Sequence, residues 1–270
     1  MIFSKMTEKQ PTIIYFSHGG GPLPILGDPS HQAMSEFMRR LPDQLPEPEA
    51  ILVISAHWEQ PQATLLGAAK PHMFYDYYGF PRAAYEITYP APGHPELANQ
   101  IFSLLQQAGM DARVDPERGF DHGLFIPLSL MYPKATIPAI QLSLLDGLSP
   151  ALHFELGKIL RQIAVDNLLM IGSGFSFHNM SAFFHHDPSM ITPRNEAFQD
   201  WLVETITTDM RPSERARRLI NWETGPHARY CHPREEHLLP LHVCAGLAGR
   251  PGQVLFDDWV MGVRCVAFGW

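Results

Sequence analysis

Three apolar segments of this chain each lead into a histidine. The segments span 12–17, 51–56 and 168–172, and the histidines that follow them are His18, His57 and His178. An apolar run of this length is typical of a strand that is buried on both faces of a parallel sheet. The carboxyl ends of parallel strands lie along one edge of the sheet, where open α/β sheets bind their ligands. We therefore expect the three histidines to converge at that edge.

The rest of the chain alternates between strand and helix patterns. Further strands are predicted at 63–66, 111–114, 137–143, 253–256 and 262–268, and helices at 29–41, 95–108, 124–131, 149–167, 193–208, 212–221 and 232–248. Alternation of this kind implies βαβ units. The predicted fold class is α/β, with a mostly parallel central sheet, flanking helices and an active site at the C-terminal edge of the strands. Because there is no internal repeat and no linker, we expect an N-terminal tail at 1–11 and a single domain at 12–270.

Composition limits the partners of this chain. Its formal net charge of -8 argues against a nucleic-acid backbone, and no apolar run approaches the roughly 18 residues of a membrane-spanning helix. Three widely spaced cysteines form no CxxC pair, and residues 1–10 lack the apolar core of a signal peptide. We therefore expect a cytoplasmic protein that binds neither nucleic acid nor membrane, as a monomer or a homodimer.

The histidines favour metal chemistry. Zinc and Fe(II) both accept neutral imidazole, and catalytic sites keep three protein ligands with open positions beside them. His18 and His57, with either His237 or Glu236, would form such a set. Imidazole also titrates near neutral pH, so His122 and His178 are candidates for proton transfer. No local HxxxH or HExxH pattern supports the set.

A segment rich in aromatic residues and prolines spans 71–95. A long segment without regular structure inside a compact domain is usually functional or disordered, and its many aromatic rings argue against disorder. Two interpretations stay open: the segment fills part of the core, or it forms the wall of a site for a flat ring.

Six motifs together resemble a known family. They are Ser17-His18-Gly19-Gly20-Gly21-Pro22, Ser55-Ala56-His57-Trp58, Tyr89-Pro90-Ala91-Pro92-Gly93, Gly119-Phe120-Asp121-His122-Gly123, Phe177-His178-Asn179 and Glu236-His237-Leu238-Leu239-Pro240-Leu241. Their order and sequence resemble the class III extradiol ring-cleavage dioxygenases, in particular the 4,5-DOPA dioxygenase-like branch. The resemblance extends over residues 12–268, so the predicted domain would be a catalytic dioxygenase domain.

The resemblance implies a non-haem Fe(II) enzyme that opens the ring of a catechol with O2, a small aromatic diol being the substrate. His18, His57 and His237 match the family's metal-binding positions, although zinc can occupy such a site in purified protein. His178 matches either a fourth ligand or the acid/base histidine, and His122 matches an active-site histidine. Better-known class III enzymes have a glutamate as third ligand, so Glu236 is a second choice after His237.

Aromatic residues are expected to contact the substrate ring: Trp58, Tyr75 and Phe125. Five other histidines, His72, His94, His153, His185 and His186, are expected on the surface or in structural roles. Two alternatives on the same fold stay open, a zinc-dependent hydrolase and a non-enzymatic metal-binding protein.

Overall fold

The computed structural model describes residues 11–184 and 187–270. The predicted tail therefore lies outside the described residues except for Pro11, as do His185 and His186. In the described part of the chain the strands are β1 (Thr12–Ser17), β2 (Ala50–Gln60), β3 (Ala63–Leu66), β4 (Ala112–Asp115), β5 (Ala139–Leu145), β6 (Leu168–Gly174), β7 (Gln253–Val260) and β8 (Val263–Gly269).

The helices of the same part lie between the strands, and half of them follow one another between β6 and β7. They are α1 (Leu23–Leu26), α2 (Gln32–Arg40), α3 (Pro95–Gln107), α4 (His122–Met131), α5 (Pro150–Leu160), α6 (Met180–Phe184), α7 (Pro188–Thr207), α8 (Pro212–Ile220), α9 (Ala228–Cys231) and α10 (Leu239–Ala248). Short 3-10 turns lie at Pro29–His31, Leu41–Gln44, Arg82–Tyr85 and Trp222–Thr224. Among the residues described, no helix combines the length and apolar character needed to cross a membrane.

One sheet organises the molecule, with strand order β4-β3-β5-β2-β6-β1-β8-β7. The four central strands, β5, β2, β6 and β1, are mutually parallel. Strands β1, β6 and the first half of β2 are entirely buried, because helices cover the sheet. Helix α10 lies against β1, β2 and β6, and helix α5 packs on α10. The predicted α/β class with a mostly parallel central sheet is therefore confirmed.

The registers explain how the sheet positions a site. Ser17 of β1 pairs with Gly174 of β6, and Ser55 of β2 pairs with Ser173 of β6. Strands β1 and β6 thus end level with Ser55 of β2, and the residues beyond this level share one edge of the sheet. Gly172 permits the approach of α10, because a Cβ there would lie 2.8 Å from the carbonyl oxygen of Pro240.

Part of the sheet is antiparallel, because β3 runs antiparallel to β5 and β8 runs antiparallel to both β1 and β7. Two predicted helices also have different boundaries in the structure. The predicted helix at 232–248 begins only at Leu239, with Pro240 in its first turn. The predicted helix at 149–167 ends at Leu160.

Candidate metal centre and active site

Five histidine side chains meet at the carboxyl edge of the central strands. They are His18, His57, His122, His178 and His237, and each comes from a different segment of the chain. His18, His122 and His237 are buried, whereas His57 and His178 are half-buried. A cluster of this kind combines buried imidazole groups with access from solvent.

His18 is held where β1 meets a glycine-rich turn. Its backbone N–H donates to the carbonyl oxygen of Gly174 at 3.0 Å, which continues the pairing of β1 with β6. Gly19 follows at a φ of 89°, a left-handed conformation that favours glycine. The buried ring of His31 accepts a hydrogen bond from the Gly20 N–H at 3.0 Å. Hydrogen bonds at His18 and at Gly20 therefore fix the conformation of the turn.

The sequence predicts His57 just after the end of its strand, whereas in the structure His57 lies inside β2. Ile54 pairs with Leu142 of β5 and Glu59 pairs with Leu144, so residues 55–58 of β2 oppose Ser143 alone. This bulge breaks the alternation of the strand and re-aims its side chains. The Ser55 hydroxyl oxygen accepts from the His57 N–H at 3.2 Å, which stabilises the bulge.

His122 opens helix α4, and a buried ion pair supports the turn before it. Arg118 donates to the Asp121 carboxylate at 3.1 Å, and the Ser55 hydroxyl donates to the same carboxylate at 2.8 Å. Gly123 lies so close to the bulge that a Cβ would be 2.5 Å from the Ser55 hydroxyl oxygen. The Phe-Asp-His-Gly motif is thus packed directly on the segment that carries His57.

His178 and His237 are brought together by two loops. The Phe175 N–H and the Tyr15 hydroxyl both donate to the carbonyl oxygen of His237, at 3.0 and 3.2 Å. The His178 N–H donates to the carbonyl oxygen of Cys231 at 2.9 Å. The rings of His178 and His237 stack with centroids 3.4 Å apart.

Three of the five rings form a nearly regular triangle. The centroids of His18, His57 and His237 are separated by 4.7, 4.9 and 5.3 Å. Imidazoles that bind one ion through nitrogens at about 2.1 Å have centroids roughly 5 Å apart. The Nε2 atoms of His18 and His57 are 2.9 Å apart, a separation that suits two ligands of one ion.

The cluster contains two separate groups of possible metal ligands, with His18 and His57 in one and His237 in the other. Ligand atoms of His18, His57 and His122 lie within 4.8 Å of one another, and so do those of His178, Glu236 and His237. His122 and His178 each lie against one member of the triangle, since His57 and His122 have centroids 3.8 Å apart. The described residues therefore offer more imidazole nitrogen atoms than a single ion requires.

The outer ring nitrogens have oxygen partners. Ser173 donates its hydroxyl proton to the carbonyl oxygen of Gly123 at 2.5 Å, so its oxygen must accept the 3.0 Å bond from Nδ1 of His18. Nδ1 of His237 lies 2.9 Å from the Glu236 carboxylate. Both rings therefore turn Nε2, with its free lone pair, towards the middle of the cluster. Metal-binding histidines usually have an oxygen partner on the other nitrogen in this way.

Electrostatics keep these rings neutral. Burial, reinforced by the neighbouring histidines, lowers the pKa of His18 and of His57 well below the ordinary value. Burial, with a contribution from His178, also lowers the pKa of His237 to about 3. Neutral imidazole is the form that binds metal. The Nε2 atoms of His18 and His57 lie 2.9 Å apart, where they can share a proton or bind one cation, so the donor set fits a metal ion.

Asp76 was not identified from the sequence. It lies in the aromatic segment and accepts from both the backbone N–H and Nδ1 of His122, at 3.0 and 2.8 Å. Its Oδ2 also lies 3.5 Å from Nδ1 of His57. A single aspartate in an irregular segment carries no spacing signal, so only the fold could reveal its position.

The aromatic segment packs beside His122. The ring of Tyr77 lies 5.7 Å from that of His122, and Phe125 contacts both Tyr75 and Tyr77 at 5.9 and 6.2 Å. Tyr75 and Phe125, which were predicted to contact the substrate, are thus separated from the clustered histidines by the ring of Tyr77. Trp58 is buried, and the Arg118 guanidinium covers its ring at 5.0 Å.

Other predicted histidines lie elsewhere. His153 is fully buried and bonded to backbone groups, His94 caps helix α3, and His72 is exposed. A cavity of about 340 Å³ between α5, α8 and α10 is lined by none of the clustered histidines. Its arginines Arg161 and Arg215 bond to carbonyl oxygens of neighbouring segments.

A sheet that carries neutral imidazoles at its carboxyl edge has the arrangement of a metal-dependent α/β enzyme. Residues 10–261 match the family described as the catalytic LigB subunit of aromatic ring-opening dioxygenase. The chain therefore belongs to the LigB family, a family of extradiol dioxygenases.

Related proteins agree with this assignment. The chain is 37% identical to dioxygenase tasH of Hapsidospora irregularis, over 96% of this chain and 85% of that protein. It is 36% identical to a 4,5-DOPA dioxygenase extradiol of Beta vulgaris, over 92% of each, and 32% identical to that of Escherichia coli (strain K12), over 87% and 84%. A crystal structure of the uncharacterized protein JW3007 from Escherichia coli K12 superposes with a TM-score of 0.76 and 26% identity, covering 96% of this chain and 99% of that one.

Proposed function

We propose that this protein is a non-haem Fe(II)-dependent extradiol dioxygenase that opens the ring of a catechol with O2. The observation that carries the proposal is the triangle of His18, His57 and His237, flanked by two further histidines. Membership of the LigB family and similarity to 4,5-DOPA dioxygenases support the same reaction class.

His18, His57 and His237 would hold the ion through Nε2. Their match to the family's metal-binding positions supports this set, whereas by distance the ligand atoms of His18 and His57 group with His122 and those of His237 with His178 and Glu236. Glu236, the second choice from the sequence, is engaged by Nδ1 of both His237 and His178, which favours an orienting role. When bound, Fe(II) would supply a template for both catechol oxygens and the one-electron chemistry that O2 requires.

His178 and His122 would move protons. Nδ1 of His178 faces Glu236 at 3.1 Å, and Nδ1 of His122 faces Asp76 at 2.8 Å. Each ring therefore has Nε2 free to exchange a proton with the substrate. We assign to His178 the removal of a proton from a catechol hydroxyl. After taking up a proton at Nε2, His122 would donate a hydrogen bond from it to oxygen atoms that gain negative charge, and Asp76, which accepts from Nδ1, would stabilise the resulting imidazolium.

A flat aromatic substrate suits the surroundings of the cluster. Tyr75 and Phe125 belong to an aromatic group that reaches His122 through Tyr77. They would form one wall of the substrate site, and they would also exclude water from the reacting groups. Trp58 would belong to the same wall, with the Arg118 guanidinium over one face of its ring.

The remaining expectations extend this proposal. We assign 12–270 as the catalytic domain, with a small aromatic diol and O2 as its partners and neither nucleic acid nor membrane among them. We propose a cytoplasmic monomer or homodimer.

Anaerobic reconstitution tests the reaction. Apoprotein would be loaded with Fe(II) or, in parallel, with zinc, and then mixed with L-DOPA, protocatechuate or unsubstituted catechol in air. We expect O2 uptake and a ring-opened product, heavier than its catechol by one O2, with Fe(II) alone. Absence of O2 uptake with every catechol would contradict the proposal. Hydrolysis by the zinc form without O2 would support the zinc-hydrolase alternative, and metal binding without turnover would support a non-enzymatic role.

A further inference from the structure

We propose that Asp76 and Glu236 form a matched pair of positioning residues, each of which sets the tautomer of one metal-binding and one proton-transfer histidine. The roles of the histidines rest on the proposed function, whereas the tautomers of His122 and His237 follow from their hydrogen bonds to the two carboxylates. Neither carboxylate would bind the metal ion.

Asp76 serves the first pair, His57 and His122. Its Oδ2 lies 2.8 Å from Nδ1 of His122 and 3.5 Å from Nδ1 of His57. Its Oδ1 accepts the backbone N–H of His122 at 3.0 Å, which fixes the carboxylate against the start of helix α4. The two rings contact each other with centroids 3.8 Å apart. The Asp76 carboxylate thus faces Nδ1 of both histidines, on the side of each ring opposite Nε2.

Glu236 serves the second pair in the same way. Its Oε1 lies 2.9 Å from Nδ1 of His237 and 3.1 Å from Nδ1 of His178, whose rings are stacked. Arg234 lies 3.5 Å from Oε2 and balances the charge of the carboxylate. Both carboxylate side chains are about nine-tenths buried, so water competes little for these contacts.

The chemistry of these contacts decides the tautomers. An ionised carboxylate has only acceptor atoms, so a ring nitrogen that bonds to it must carry a proton. A neutral imidazole has one N–H, and therefore Nε2 is left with a lone pair. Nε2 is the atom that the metal requires from His57 and His237, and the atom that exchanges protons in His122 and His178. One carboxylate prepares both members of its pair.

NMR of the zinc-loaded protein tests the tautomers directly. Zinc is diamagnetic, and long-range 1H–15N correlation distinguishes Nδ1–H from Nε2–H in each ring, with assignments from single histidine variants. We expect the Nδ1–H form for His122 and His178 in the wild-type protein. Observation of the Nε2–H form in either ring would overturn the proposal, and this measurement requires no carboxylate variant to fold.

Isosteric amides test the positioning role. In Asp76→Asn the amide nitrogen can donate to Nδ1 of His122, so we expect the proton of that ring to move to Nε2 and kcat to fall about 10-fold to 100-fold with KM little changed. In Glu236→Gln we expect the proton of His178 to move to Nε2 and kcat to fall by a similar factor. We also expect this variant to bind zinc more weakly. Asp115→Asn is the control, because Asp115 bonds to backbone N–H groups and Arg113 away from the cluster.

The outcomes separate this proposal from the proposed function. Unchanged tautomers and kcat in both amide variants would overturn the positioning role, as would X-ray absorption showing a carboxylate oxygen bound to zinc. Predicted tautomers in a protein that opens no catechol would support the pair while contradicting the dioxygenase. Ring opening by a protein whose histidines have the Nε2–H tautomers would support the dioxygenase and contradict the proposed pair.

Discussion

The Nε2 atoms of His18 and His57 lie 2.9 Å apart, although strand β6 separates β1 from β2 in the sheet. Neighbouring strands are about 4.8 Å apart, so the backbones that carry the two histidines are separated by about 10 Å. Near the end of β6, Ser173 bonds to Nδ1 of His18, and Gly174 permits the approach of the His237 carbonyl oxygen. Because burial lowers the pKa of both rings, each can offer a neutral ring nitrogen to a metal ion at this contact.

Removal of a ligand should separate metal binding from folding. We expect His57→Ala and His237→Ala to lose bound metal and at least about 100-fold in ring-opening activity, while circular dichroism stays that of the wild type. His72→Ala is the matched control, since its exposed side chain lies in the aromatic segment outside the cluster. Turnover of catechol by His57→Ala would contradict the proposed ligand set.

Arg234 should hold the loop of His237 against β2. It donates two hydrogen bonds to Glu59, at 2.6 and 2.5 Å, and Glu59 follows the bulge that carries His57. Because Arg234 is half-exposed, the pair should add only about 0–1 kcal/mol to stability. We therefore expect Arg234→Ala to speed zinc release in a chelator competition assay with little change in Tm. Arg82→Ala, which removes an exposed pair with Glu86, should leave zinc release unchanged.

Asp121 should be required for stability. Its buried carboxylate accepts from both Arg118 and Ser55, so truncation would leave a guanidinium without its partner. We expect Asp121→Ala to lower the free energy of unfolding by about 3 kcal/mol, measured by urea denaturation. The same change at exposed Asp43 should cost little. Equal stability of the two variants would mean that the buried ion pair contributes nothing.

Acid should destabilise the fold partly through His153. Its Nδ1 donates to the carbonyl oxygen of Ser149 and its Nε2 accepts from the Leu145 N–H, so the buried ring must be neutral. Burial lowers the pKa of His153 to about 4. The unfolded chain, with an ordinary histidine pKa of about 6.5, binds more protons between these values, and stability therefore falls as pH decreases.

His153→Gln isolates this contribution. From about pH 7 to about pH 4.5 we expect the wild-type protein to lose about 2 kcal/mol more than the variant, measured by urea denaturation at each pH. His72→Gln should show the wild-type dependence. A parallel pH profile for His153→Gln and the wild type would contradict the assignment.

The edge of the sheet could be predicted because buried strands can be recognised in the sequence as apolar runs. The segments before His18, His57 and His178 are apolar runs of strand length, and parallel strands must end along one edge. The bulge at 55–58 was missed, since a local register shift depends on pairing with β5 and leaves no trace in the hydrophobic pattern. The antiparallel direction of β3 also follows from pairing that the sequence does not encode locally.

The outer partners of the histidines were harder to predict than the histidines themselves. His122 and His237 were candidates from the histidine pattern, but no local spacing links them to His18, and their separate roles came from the resemblance to a family. Asp76 reaches the cluster from an irregular segment, and Ser173 acts through a hydroxyl that is common in any chain. Such contacts arise only when distant segments pack, and sequence patterns within one segment cannot report them.

A crystal structure of the Fe(II)-loaded protein with a catechol, prepared without O2, would test the central claim most directly. Anomalous scattering at the iron edge should give one peak bound by Nε2 of His18, His57 and His237, with both catechol oxygens on the same ion. An iron ion bound instead by His122 or by the Glu236 carboxylate, or a catechol bound away from the iron, would contradict this account.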